Sequence, residues 1–103
     1  MQYANKLGYS DVDPFEVVRS VSEITIEVRA MDAVRDPDWK PEFIPGGFAG
    51  HCINQDEQRW IITSNAANRV VRLRRDKRGN WKDKYGNRYS LHTKPVKHHD
   101  YNF

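Results

Sequence analysis

In Ile24-Thr25-Ile26-Glu27-Val28-Arg29 every second side chain is apolar, with Ile24, Ile26 and Val28 on one face and Thr25, Glu27 and Arg29 on the other. A period of two belongs to an extended segment that buries one face and wets the other, so the chain has to pair strands around a one-sided core. Similar short runs, bounded by Gly, Pro, Asn and Asp, recur along the sequence, and long helices are hard to find. The β-branched Val17, Val18 and Val21 predict a strand over Phe15–Val21, with Pro14 tolerated at its edge and a turn at Ser20–Glu23. Further strands are expected at Arg59–Thr63, at Arg69–Arg74 with Val71 and Leu73 inward, from Trp81, and at Arg88–Leu91, with Val96–Phe103 closing the sheet. Asp76–Asn80 reads as a tight connection in which Gly79 takes positive φ. Residues 35 to 50 hold three prolines before paired glycines and read as a long loop pinned by Trp39, Phe43 and Phe48. No internal repeat or low-complexity segment is apparent. The expectation is an all-β single domain over residues 1–103: an antiparallel meander of five to seven strands, curled into a small open barrel or sandwich of SH3-like or OB-like size.

The 103 residues suffice for one core, and a large cofactor-binding enzyme is not expected. No apolar run approaches the roughly 20 residues of a membrane span, and Met1–Lys6 lacks the apolar core of a signal peptide, so a cytoplasmic location is expected. The lone Cys52 excludes an internal disulfide framework.

Charge is unevenly placed. Residues 1–57 carry five basic and eleven acidic side chains, a net −6, whereas residues 58–103 carry twelve basic and three acidic, a net +9. Such asymmetry points to a polyanionic partner, or to two halves that attract each other across the fold. The basic charge concentrates at Arg69, Arg72, Arg74, Arg75, Lys77, Arg78, Lys82, Lys84 and Arg88, against only Asp76 and Asp83. In a β-ribbon Arg72 and Arg74 lie opposite Val71 and Leu73, which gathers their charges on one surface. Trp81, Tyr85 and Tyr89 are interleaved with them, the combination used to stack splayed bases beside phosphate-binding cations. The candidate partner-binding set is therefore these nine cations with Trp81 and Tyr85. Lys and Arg also serve on exposed strands to discourage edge pairing, and the face could equally meet an acidic protein surface.

A second candidate is the loop Gly46-Gly47-Phe48-Ala49-Gly50-His51-Cys52, whose glycines could turn backbone N–H groups toward an anion. Its spacing matches neither the Walker nor the dinucleotide pattern, and glycines beside Phe48 also mark a close backbone crossing. His51, Cys52, His92, His98 and His99 lack metal-ligand spacing, because adjacent strand residues point to opposite faces. No metal or cofactor is expected. An enzyme would need Cys52 with a His base, or Asp11, Asp13 and Glu16 as acid and base, and nothing in the sequence places them together.

With these residues set out, the chain resembles a group of small proteins of bacteriophages, prophages and plasmids. The markers are Tyr9-Ser10-Asp11, the Thr25–Arg29 strand, Gly46-Gly47-Phe48 followed by Gly50-His51, Trp81 two residues after Gly79, and the ending Asp100-Tyr101-Asn102-Phe103. The group typically has Asp-Gly before the tryptophan and Tyr-Tyr before the final Asp, where this chain has Arg78-Gly79 and His98-His99. The resemblance implies a mobile-element setting, in which small proteins often act by binding nucleic acid or by blocking a host defence complex, as anti-CRISPR proteins do. The expectation is a non-enzymatic protein that engages an anionic partner, nucleic acid or a nucleoprotein complex, through the basic hairpin. The alternatives are an inhibitor acting through a protein surface, a virion or assembly component, and a small enzyme using the glycine-rich His/Cys loop.

Overall fold

The computed structural model describes residues 2–44, 51, 52 and 54–100. In chain order its strands are β1 (Tyr3–Leu7), β2 (Val12–Ser22), β3 (Thr25–Ala30), β4 (Asp32–Arg35), β5 (Phe43–Ile44), β6 (His51–Cys52), β7 (Trp60–Thr63), β8 (Val70–Arg75), β9 (Trp81–Lys82) and β10 (Arg88–His92). The only helical element among the described residues is a 3₁₀ turn at Gln55–Glu57, so none is long and apolar enough to cross a membrane. Strands β1, β2, β3, β8, β9 and β10 form a closed antiparallel barrel in which each pairs with the next and β10 returns to β1. The all-β meander is thus what the alternation predicts. The segment between β3 and β8 leaves it as an excursion, in which β4 pairs with β7 and β5 with β6. This insertion draws the molecule out, with a radius of gyration of 15.8 Å against about 13 Å for a compact chain of this size.

Ala4, Ile26, Val28, Leu73 and Tyr89 fill the barrel, with Phe15, Val17, Val71, Trp81 and Leu91 packed against them. Val71 and Leu73 point inward as expected, but Ile24 falls in the β2–β3 turn and is exposed. The barrel is closed by β1 rather than by Val96–Phe103, because β1 lies between β2 and β10 and completes the ladder of both. Among the described residues the tail pairs its main chain with β2 through one β-bridge, Val12 to His98, and Tyr101–Phe103 lie outside the described residues. Strand β7 is also displaced from the expected sheet, pairing with β4 in the insertion. Trp39 is buried there, as a pinned loop requires, whereas Phe48 lies outside the described residues.

The insertion is tied back through Glu16. Its carboxylate receives Arg29 Nη2 at 2.7 Å across the β2–β3 ladder and the Ser64 hydroxyl at 2.6 Å from beyond β7. The Ser64 hydrogen bond, followed by that from Arg29, holds the Glu16 carboxyl below its ordinary range even though the residue is buried. Glu16 is therefore a structural anchor.

The two turns flanking β9 are one turn made twice. In Asp76-Lys77-Arg78-Gly79-Asn80 the aspartate N–H donates to Asn80 O at 2.8 Å, Gly79 N–H returns to Asp76 O at 3.0 Å, and Oδ1 accepts Arg78 and Asn80 N–H, both at 2.9 Å. Asp83-Lys84-Tyr85-Gly86-Asn87 repeats this pattern at 3.1, 3.1, 2.9 and 3.0 Å. Each is a type I turn closed by a glycine in the left-handed region, Gly79 at φ 84° and Gly86 at φ 85°. A seven-residue repeat, Asp-Lys-x-Gly-Asn-x-x, is therefore present where the sequence reads as unrepeated. It escapes notice because only its turn residues recur.

Candidate nucleic-acid interface

Strand β8 carries the basic surface. Arg72 and Arg74 are exposed on its outer face, with Leu73 buried between them. Arg74 lies directly opposite Lys82, and Lys82 directly opposite Arg88, so three cations stand in one row across β8, β9 and β10. Neighbouring strands are about 4.8 Å apart, which sets the row at roughly 10 Å from end to end. Like charges directly opposite one another destabilise a sheet, and this row is a standing cost of the fold.

Of the nine cations in the candidate set, two have a carboxylate at salt-bridge distance among the described residues: Arg72 with Glu27 at 3.4 Å and Lys82 with Asp76 at 3.2 Å. From the acidic half of the chain Glu27 reaches Arg72, while Asp13 pairs with Lys97 and Glu16 with Arg29 away from the hairpin.

The aromatic residues divide. Trp81 is half-buried against the core and capped by Arg75, whose guanidinium carbon lies 5.9 Å from the ring centroid. Tyr89 is buried, edge-on to Phe15 at 5.2 Å, with its hydroxyl donating to Asp83 Oδ2 at 3.1 Å. Tyr85 is 75% exposed, with Lys84 Nζ 5.1 Å from its ring centroid, and is the ring available for stacking. Burial acts to raise the Asp83 carboxyl, but hydrogen bonds from the Asn87 side chain, the Asn87 and Tyr85 N–H groups and Tyr89 outweigh it and leave it lowered. Burial, reinforced by the Asp83 carboxylate, pushes the Tyr89 phenol well up.

Because β9 has only two residues, the second turn begins before β8 is covered. A slit of about 660 Å³ opens between the first half of β8 and the Asp83–Asn87 turn. Its floor is apolar, from Phe15, Val71 and Tyr89, and its rim is basic, from Lys6, Arg69, Arg72, Arg74, Lys82 and Lys84, with Tyr85 beside them. The structure thus brings Arg69, Arg72, Arg74, Lys82, Lys84 and Tyr85 together at one opening, with Arg88 next in the row. Arg75, Lys77 and Arg78 gather instead at the Asp76 turn beside Ile24. Lys6 and Phe15 were not candidates from the sequence, since they reach the slit only through closure of the barrel. The signal that could have found the opening is the seven-residue spacing of the two turns, which leaves β9 two residues.

Gly46, Gly47, Phe48 and Gly50 of the second candidate lie outside the described residues, and His51 enters as part of β6. Cys52 is buried, with Sγ 3.4 Å from Asn54 Oδ1. No group of three or more His, Cys, Asp or Glu side chains that could hold a metal is found among the described residues. No protein-family model, curated protein or solved structure matches the chain.

Proposed function

We propose that this is a non-enzymatic binding protein that engages an anionic partner, nucleic acid alone or within a nucleoprotein complex, through its basic hairpin. The carrying observation is the Arg74, Lys82 and Arg88 row, three cations held side by side at a cost to the sheet with one carboxylate, Asp76, among them. Such a row suits a phosphate backbone, which offers closely spaced negative charge and releases counterions on binding. The exposed Tyr85 beside it supplies a stacking face. The resemblance to mobile-element proteins supports the same reading, since small proteins in that setting often act by binding nucleic acid or by blocking a host defence complex.

The test is binding of labelled single- and double-stranded DNA and RNA at about 50 and 200 mM salt. Affinity is expected to fall with a log–log slope of about −0.7 to −0.9 per neutralised phosphate. Arg74→Ala/Lys82→Ala/Arg88→Ala should flatten that slope by about two to three units. Binding that ignores salt, or that survives the triple substitution unchanged, would sink the reading.

A further inference from the structure

The slit and the cation row adjoin each other, but the slit has features that backbone charge does not need. Its floor is aromatic and aliphatic, and its edge is a strand with unused main-chain groups. Arg75 N–H donates to Ile24 O at 2.8 Å on the β3 side, while Asp76 N–H donates to Asn80 O at 2.8 Å on the opposite side. Residues of β8 therefore alternate in direction: Arg75, Leu73 and Val71 turn their main chain to β3, and Arg74, Arg72 and Val70 turn theirs toward β9. Arg74 meets Lys82, but β9 ends there. The N–H and C=O groups of Val70 and Arg72 face the slit and have no protein partner among the described residues.

A flat aromatic ring seated in the slit would lie among Phe15, Tyr85 and Tyr89 and meet paired donors and acceptors along one edge. A nucleobase has that form, with π faces to stack and alternating donors and acceptors on its rim. Within a duplex those faces are stacked and that edge is paired, so only an unstacked base can enter. Phosphates on either side of it would fall against the basic rim and the adjoining row. Tyr85 is well placed for this role because its N–H is held by Asp83 Oδ1 at 2.9 Å, which fixes the turn that carries the ring.

We infer that the slit between β8 and the Asp83–Asn87 turn is a subsite for one unstacked base, making the protein selective for single-stranded over duplex nucleic acid. This rests on the proposed binding of nucleic acid by the hairpin and names which form it takes.

The experiment compares a labelled single-stranded oligonucleotide of about 12 nucleotides with its duplex at fixed salt, for the wild type, Tyr85→Ala and Val70→Pro. Tyr85 is exposed, so its loss leaves the core intact. Proline at Val70, the first residue of β8, deletes a donor that faces the slit and spares the ladder to β3. Single strand should bind at least about tenfold tighter than duplex. Tyr85→Ala should cost roughly tenfold on single strand, the scale of one base–aromatic stack, and Val70→Pro several-fold, each losing more on single strand than on duplex. Equal binding of the two forms, or a Tyr85→Ala protein with full affinity and an unchanged salt slope, overturns the base subsite while the hairpin still binds phosphate. Absence of binding to either form overturns the subsite and the reading beneath it together, and leaves the free edge of β8 to a protein strand.

Discussion

Asn5 Oδ1 accepts the main-chain N–H of Val96 at 2.9 Å, and its amide donates to Lys94 O at 3.1 Å, so one buried side chain on β1 holds a segment about ninety residues away. From there the tail continues along β2, with the Val12 and His98 main chains paired at 2.9 Å, Lys97 on Asp13 at 2.5 Å and Asp100 N–H on Asp11 Oδ1 at 2.7 Å. The tail is a strap outside the barrel. Asn5→Ala removes two part-buried hydrogen bonds to the main chain of Lys94 and Val96, which costs about 2 kcal/mol. A fall in Tm of roughly 10 °C is expected by calorimetry, and an unchanged Tm would show that the strap is held without Asn5.

How much of this was legible follows from how local each signal is. The β3, β8 and β10 segments and the Gly79 turn could be read because alternation and turn chemistry lie within a few residues. Strand β1 could not, because Ala4 and Asn5 carry no apolar pattern; burial comes to them from β10, β2 and the tail. The basic hairpin was visible as composition, and the outward placement of Arg72 and Arg74 as period. The slit was not, since it depends on where β9 stops and on Phe15 arriving from across the barrel.

The second turn presents Tyr85, and Gly86 is what lets it close. Nothing lies within 4 Å of a Cβ built at Gly86, so the obstacle to a side chain there is its φ of 85° and not space. Gly86→Ala is expected to cost about 1 kcal/mol in urea denaturation, and Gly86→Asn less, because asparagine tolerates the left-handed region. Equal stability of the alanine variant would mean that the turn relaxes to another form.

Acid should loosen the join between barrel and insertion. The Glu16 carboxyl is lowered from 4.5 by the Ser64 and Arg29 hydrogen bonds, so its stabilisation is fully present above 4.5 and is lost as pH falls through the lower folded-state value. Glu16→Gln should be about 2 kcal/mol less stable than wild type at pH 7, with the gap closing progressively below pH 4.5. A gap that persists at pH 3 would assign the loss to shape and not to charge.

The cation row makes opposite demands on stability and binding. Arg88 faces Lys82, which faces Arg74, and Arg88 has no carboxylate at salt-bridge distance among the described residues. Arg88→Gln removes one like-charge neighbour and should stabilise the fold by about 0.2–1 kcal/mol, while weakening nucleic-acid binding and flattening its salt dependence by about one phosphate. Salt separates repulsion from packing. Screening relieves the row in the wild type, so the stability gain from Arg88→Gln should shrink between about 50 mM and 1 M salt, where the Debye length contracts to about 3 Å. A variant that binds less and is also less stable at every salt concentration would place Arg88 in the architecture of the sheet, and the row would lose its claim to be an interface maintained against the stability of the barrel.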